Sequence, residues 1–283
     1  MARLIFIGIL SVILVAAPAA RAQDYDMKKL DFEATANRPL EVYLNVDAGE
    51  IYIEKGKETL KGGVDVEFET ERVRTRIDFD EKRNRLRVAV DGRKWYKTRD
   101  GMRGPIVRVV LPDSVHIRLK TRLKAGECHL ELGGLRIEEL DVTSWAGELT
   151  VRFDEPNPIV MTYMDIHLHV GEANLVRLGN ARFDKAELKH GIGSLSVDFS
   201  GTLVHRSMAR VGLNIGEAHV LLPDDAGIRM QIGGAFSFLS AKDIDSDFYK
   251  RGRYFYTDGF DEAGTQMSLR MTPGLGELRV ERR

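Results

Sequence analysis

Two histidines one residue apart, His167 and His169, share a face of a segment that alternates apolar and polar residues like a β-strand. Such a pair can begin a zinc site, but zinc needs a third and fourth ligand. His190, about one repeat further on, is the residue that could extend the set. Glu127, Glu148, Glu172 and Glu217 recur in equivalent positions and would form a ladder if their segments stack. Calcium could use such a ridge, yet it wants several oxygens and no Asp-rich loop accompanies this one. Carboxylates turned to water, bound to local backbone N–H groups, or paired with Arg and Lys are the simpler readings. Arg118, Lys120, Arg122 and Lys124 alternate with Ile117, Leu119, Thr121 and Leu123, so one strand face presents four cations. That face suits an anionic envelope glycan or a lipid headgroup; an ordinary solvated face is the alternative.

Other chemistries lack their parts. Gly191-Ile-Gly193 has no third glycine and no following helix, as a dinucleotide site would require. There is no Gly-x-Ser-x-Gly elbow and no His-Glu-x-x-His. Carboxylates are plentiful, but nothing selects two for glycosidase geometry. His129 and His219 fall in a column with Tyr52, Thr150, Asn174, Ser196 and Arg279, which has the mixture of a solvent face. Cys128 is the one cysteine, so no internal disulfide forms; its place matches apolar Ile51, Leu149 and Ala173 in other copies. The sequence therefore predicts no catalytic residues, no metal, no cofactor and no enzyme.

The elements that position these residues form a repeat. Eight segments look like copies of one unit, among them Asp47-Ala-Gly-Glu-Ile-Tyr-Ile53, Trp145-Ala-Gly-Glu-Leu-Thr-Val151 and Gln231-Ile-Gly-Gly-Ala-Phe-Ser237. Gly126, Gly147, Gly171, Gly193 and Gly216 follow one another at 21 to 24 residues, with Gly49 and Gly276 as outlying members. A fixed period near 20 marks a solenoid. With the glycine as position zero, apolar residues occupy −3 and −1 before it and +2 and +4 after it. Inward parity thus flips across Gly-Glu. A one-residue slip in a strand reverses every face, so the chain must bend there, and glycine tolerates the corner.

The ends of the chain read differently. Residues 1–22 have the form of a signal peptide: Arg3, an apolar run from Leu4 to Ala17, and Ala20-Arg21-Ala22 as the cleavage site. Cleavage predicts export across the inner membrane to the periplasm or envelope, with a mature start near Gln23. A retained anchor is the alternative. The formal charge moves from −1 to −3 once Arg3 and Arg21 are removed, which argues against nucleic acid as a partner. Residues 23–39 read as a polar linker and 40–283 as one β-domain, with a meander over 40–115 and coils plus a C-terminal cap over 116–283. In the meander, Glu67 and Glu69 are expected to face Arg74 and Arg76 across a hairpin. Residues 91–105, with Trp95-Tyr96, read as an exposed loop. Dense aromatics from Phe236 to Phe260 are expected to cover the last open coil.

These units resemble the toast-rack family of bacterial envelope proteins. Val107-Arg-Val-Val-Leu-Pro-Asp-Ser-Val-His-Ile-Arg-Leu119 resembles the strand–Pro–strand step of related adhesin domains. Tyr256-Thr-Asp-Gly-Phe260 and the run from Met267 to Val280 are similar to the closing strands of cell-wall-active-antibiotic response proteins. The resemblance spans residues 40 to 283 and departs at Ser194 and Gly234, where Glu is missing. It implies an all-β, right-handed, single-stranded β-solenoid with an N-terminal antiparallel meander. It also implies an envelope role without catalytic residues: a binding or structural, adhesin-like module. The alternatives are a regulatory ectodomain in envelope-stress signalling and a polysaccharide-acting enzyme. Expected partners are an envelope protein or an anionic glycan or lipid headgroup, with self-association possible through the solenoid ends.

Overall fold

The computed structural model describes residues 25–69, 72–92, 104–234 and 240–283. The expected signal peptide, Trp95-Tyr96, Phe236 and Phe238 lie outside the described residues. The strands, in chain order, begin with β1 (Tyr25–Glu33), β2 (Leu40–Lys55), β3 (Lys61–Glu69), β4 (Val73–Asp80), β5 (Arg85–Gly92) and β6 (Ile106–Leu111). Then come β7 (His116–Glu131), β8 (Arg136–Arg152), β9 (Met161–Val176), β10 (Phe183–Asp198) and β11 (Arg206–Leu222). The chain closes with β12 (Gly227–Ile232), β13 (Ser240–Ile244), β14 (Phe248–Arg251), β15 (Tyr254–Thr257) and β16 (Gln266–Arg282). A 3-10 turn covers Leu178–Ala181. The chain is an all-β solenoid.

The long strands β2, β7, β8, β9, β10, β11 and β16 lie side by side, parallel and in that order. Each has 16 or 17 residues. A straight strand of that length would run about 50 Å. The step from Glu131 to Arg136 spans at most ~18 Å, so each strand must double back to start the next. The fold-back occurs at the glycine. Gly49, Gly126, Gly147, Gly171, Gly193, Gly216 and Gly276 stand in one register column, all with φ between +122° and +138°. Each rung is therefore a V with two arms, and the core lies between them.

Burial follows the parity flip, with one correction. Positions −3, +2 and +4 point inward, as Leu168, Ala173 and Leu175 do in β9. Position −1, grouped with the interior on its apolar character, is turned out to solvent or only half covered. The bend spreads over −2 to +1, so −1 sits on the outside of the corner. At the far end of the V, Phe153 and Phe199 in the turns between rungs and Phe183 at the start of β10 are fully buried. Asn157 and Asn180, 23 residues apart, are buried there too and hydrogen-bond to backbone groups of neighbouring turns.

The N-terminal part is rearranged relative to expectation. Residues read as a linker contain β1, paired antiparallel with β3. Phe32 and Ala34 are buried while Asp31 and Glu33 face out; the charge-rich composition hid this alternation. β2 is already a full rung, next to β7, so 61–111 is an insertion into the stack and not a preface to it. β3 pairs with β1 and β6, and β4 with β5, so among the described residues there is no β3–β4 hairpin ladder. Glu67 is accordingly nearest Arg108, and Arg76 nearest Asp91, in place of the expected cross-hairpin pairs.

Both ends of the stack share a layout. β5 lies against the first arm of β2 and β6 against its second arm. β12 and β13 do the same to the two arms of β16. β16, last in sequence, is inserted between β11 and β12, so sequence order and stacking order part company there. The copy at 231–237 does not put its glycine in the column: Ser240 stands opposite Gly276. Within the C-terminal aromatics, Phe248 and Phe255 pack against the core, while Tyr249 is exposed on the β14–β15 ribbon that extends β12.

Candidate functional site

The outer surface is built from columns, because most residues of a rung have an in-register neighbour about 4.8 Å away on the next, Glu138 at the β7–β8 register shift being an exception. Arg118, Lys120, Arg122 and Lys124 do share the outward face of β7's first arm. Neighbouring rungs supply carboxylates to three of them. Arg118 meets Glu138 at 3.2 Å and Glu139 at 3.8 Å, Lys120 meets Asp141, and Lys124 meets Asp47 at 2.6 Å. Hydrogen bonding to Glu138 raises the Arg118 pKa, and hydrogen bonding to Asp47 raises that of Lys124. Among the described residues only Arg122 of the four has no ion pair. The stripe is a charge-matched strip of sheet, with far less free positive potential than its spacing suggests.

The histidines are divided by the sheet. His167 and His169 stack outside, ring centroids 4.0 Å apart, and His169 also stacks on Trp145 at 5.5 Å. Burial lowers the His167 pKa, and the neighbouring His169 adds to this. His190 sits at −3 and faces the core, only 2% exposed, so it cannot join the outer pair. The odd-even alternation of one strand arm decides this. Among the described residues, no cluster of three or more His, Cys, Asp or Glu could hold a metal ion.

The glutamates form the expected ladder at +1: Glu50, Glu127, Glu148 and Glu172, then Ser194, then Glu217 and Glu277. Glu50 accepts from the Tyr52 hydroxyl at 2.9 Å, which raises the tyrosine's pKa. Glu127 lies 3.3 Å from His129, and Glu277 3.2 Å from Arg279. Glu148, Glu172 and Glu217 have no ion pair or side-chain hydrogen bond among the described residues.

Beside this ladder runs a feature the sequence reading misplaced. The −1 column is Ala48, Ala125, Ala146, Val170, Ile192, Ile215 and Leu275, in register. Its last four members are 47%, 49%, 45% and 51% exposed. On the same rungs, Ser194, Ser196, Glu217, His219, Glu277 and Arg279 line a depression of about 250 Å³. The signal was available: large aliphatics appear at −1 only from β9 onward, although +2 and +4 already fill the core.

The glycine column, its parity flip and the stacked V-shaped rungs decide the family together with one match. Residues 21–159 fit the family model described as the N-terminal domain of toast_rack, DUF2154. This stretch is a toast-rack N-terminal domain. Beyond residue 159 the stack of rungs continues without a change of register, from β9 through β11 to β16.

No curated protein matches the chain significantly. Among solved structures, it is similar to a candidate cell adhesion protein from Clostridium sporogenes, at 12% identity and a TM-score of 0.45, covering 91% of this chain and 100% of that one. A candidate adhesin from Bacteroides fragilis is similar at 10% identity and 0.39, covering 90% and 97%. Likeness at this level assigns no function. Cys128 of the toast-rack domain is fully buried between Ile51 and Leu149, and burial pushes its thiol pKa up to about 12. That environment suits a small core residue and not a nucleophile.

Proposed function

We propose that the chain is an exported, non-enzymatic binding or structural module of the bacterial envelope. One observation carries this reading. The inward positions stay largely apolar from rung to rung, while the outward +3 column changes chemistry at each step. The +3 column runs Tyr52, His129, Thr150, Asn174, Ser196, His219 and Arg279 in register. A constant scaffold that carries one varied outer column suits recognition of an extended partner. Catalysis asks instead for a few groups converging on one reacting atom. Export rests on Arg3, the apolar run from Leu4 to Ala17 and Ala20-Arg21-Ala22. On this reading the partner is an envelope protein or glycan. The β7 stripe contributes mainly through Arg122, since its other cations are paired.

The test immobilises the mature chain, passes envelope extract over it, and scores retained protein and glycan, with glycan chain length measured before and after. Saturable retention with unchanged glycan length is expected. Shortened glycan chains would make the protein a polysaccharide-acting enzyme, and failure to retain any envelope component would end the binding reading.

A further inference from the structure

We infer that the corner edge of β9, β10, β11 and β16 is a docking ridge for a cationic amphipathic helix of a partner polypeptide. The inference rests on the binding-module reading and names the partner's chemistry. Val170, Ile192, Ile215 and Leu275 stand one rung apart, about 4.8 Å each, and make an unbroken aliphatic ridge ~14 Å long. Each is about half exposed and none fills the core. Folding does not require them, since Ala125 and Ala146 serve at the same corner position in the two preceding rungs. Contiguous exposed apolar surface of this kind marks interaction sites.

The charges beside the ridge select the occupant. Glu172, Glu217 and Glu277 flank it one residue beyond the glycines, and the −2 column on the other side is His169, Gly191, Asn214 and Gly274. Glu172 and Glu217 are unpaired among the described residues. A partner with apolar side chains bordered by Lys or Arg would cover the ridge and neutralise both. A second copy is disfavoured: two such edges in contact would bring their glutamates together. Four half-exposed side chains also fall well short of the ~800 Å² per partner of a stable dimer. An anionic lipid surface meets the same repulsion.

Spacing favours a helix. One helical turn rises about 5.4 Å, close to the rung repeat, so residues at i, i+4, i+7 and i+11 meet successive ridge side chains. An extended segment repeats its same-face side chains every ~6.8 Å and falls out of step within four rungs.

The experiment titrates a fluorescent helical Leu/Lys peptide of about four turns into the full mature chain. A Leu/Glu peptide of the same pattern, phosphatidylglycerol vesicles and sedimentation of the protein alone are run beside it. Saturable binding of the Leu/Lys peptide alone is expected, weakened about tenfold or more by the pair Ile192→Ser and Ile215→Ser, and also by Glu172→Gln with Glu217→Gln. The glutamate pair lies wholly outside the core, so it judges the proposal even if the serine pair alters folding. Binding unchanged by the glutamate pair overturns the proposal, as does ridge-dependent binding of vesicles or ridge-dependent self-association. If the wild-type chain retains an envelope component and the ridge variants retain it equally, the ridge fails while the binding module stands. If the chain retains none, the module reading fails and the peptide titration still judges the ridge.

Discussion

A Cβ added to Gly147 would fall on the backbone carbonyl oxygen of Gly126 in the rung before it, well inside the 3.0 Å that real Cβ atoms keep from a neighbour. Gly171 stands in the same relation to Gly147, and Gly193 to Gly171. The column of glycines is thus a column of backbones packed directly on one another. Close approach and positive φ exclude a side chain independently.

Gly147→Ala should therefore cost about 3 kcal/mol or more. For a chain of this size that is a fall of roughly 10 °C in melting temperature. Glu148→Gln, one residue on and exposed, should stay within about 0.5 kcal/mol. Thermal unfolding of the two variants checks this. Equal large losses would show that the carboxylate, and not the bend, holds the rung.

His190 makes stability depend on pH. It faces the core between Leu168 and Leu213. Burial lowers its pKa. The backbones of Gly171 and Leu168 favour the charged ring in part, yet neither ring nitrogen makes a hydrogen bond. The unfolded chain takes up a proton near pH 6.5 and the folded chain does not, so stability falls as pH drops below that value. The His167 shift has the same direction and sign. His190→Leu, which copies the neighbouring rungs, should flatten the decline in melting temperature between pH 7 and pH 5. Parallel declines in wild type and variant would assign the effect to other groups.

Asn157 ties neighbouring rungs together at the far end of the V. Its Nδ2 donates to the carbonyls of Ile137 at 2.8 Å and Ala181 at 3.2 Å, and its Oδ1 accepts from the Ile159 N–H at 3.2 Å. Asn157→Ala leaves those buried groups unpaired and should cost about 2 kcal/mol or more. Asn174→Ala, at an exposed +3 position, should be close to neutral. Denaturant unfolding distinguishes the two, and comparable midpoints would remove the case for the buried amide as a staple.

Cys128 should resist thiol reagents in the native state, since burial both hides it and holds it protonated. Titration with an aromatic disulfide reagent should show no reaction until denaturant is added, and then one thiol per chain. Rapid native labelling would place Cys128 on an accessible surface.

The sequence by itself determined the rung. The glycine period, the change of parity across Gly-Glu, and apolar residues at −3, +2 and +4 are local properties of about 22 residues, and each rung repeats them. The buried asparagines at 157 and 180 repeat at the same spacing but carry no apolar signal, so the period alone could have revealed them. The tertiary structure decided what happens between rungs that are not neighbours in sequence. Glu67 prefers Arg108 to Arg74, β16 slips between β11 and β12, and carboxylates from adjacent rungs quench most of the β7 cations. Those outcomes depend on strand edges competing for partners across tens of residues, which no local pattern encodes. The −1 column shows the same divide: Ile192 and Ile215 read as interior by type, and only the direction of the bend turned them outward.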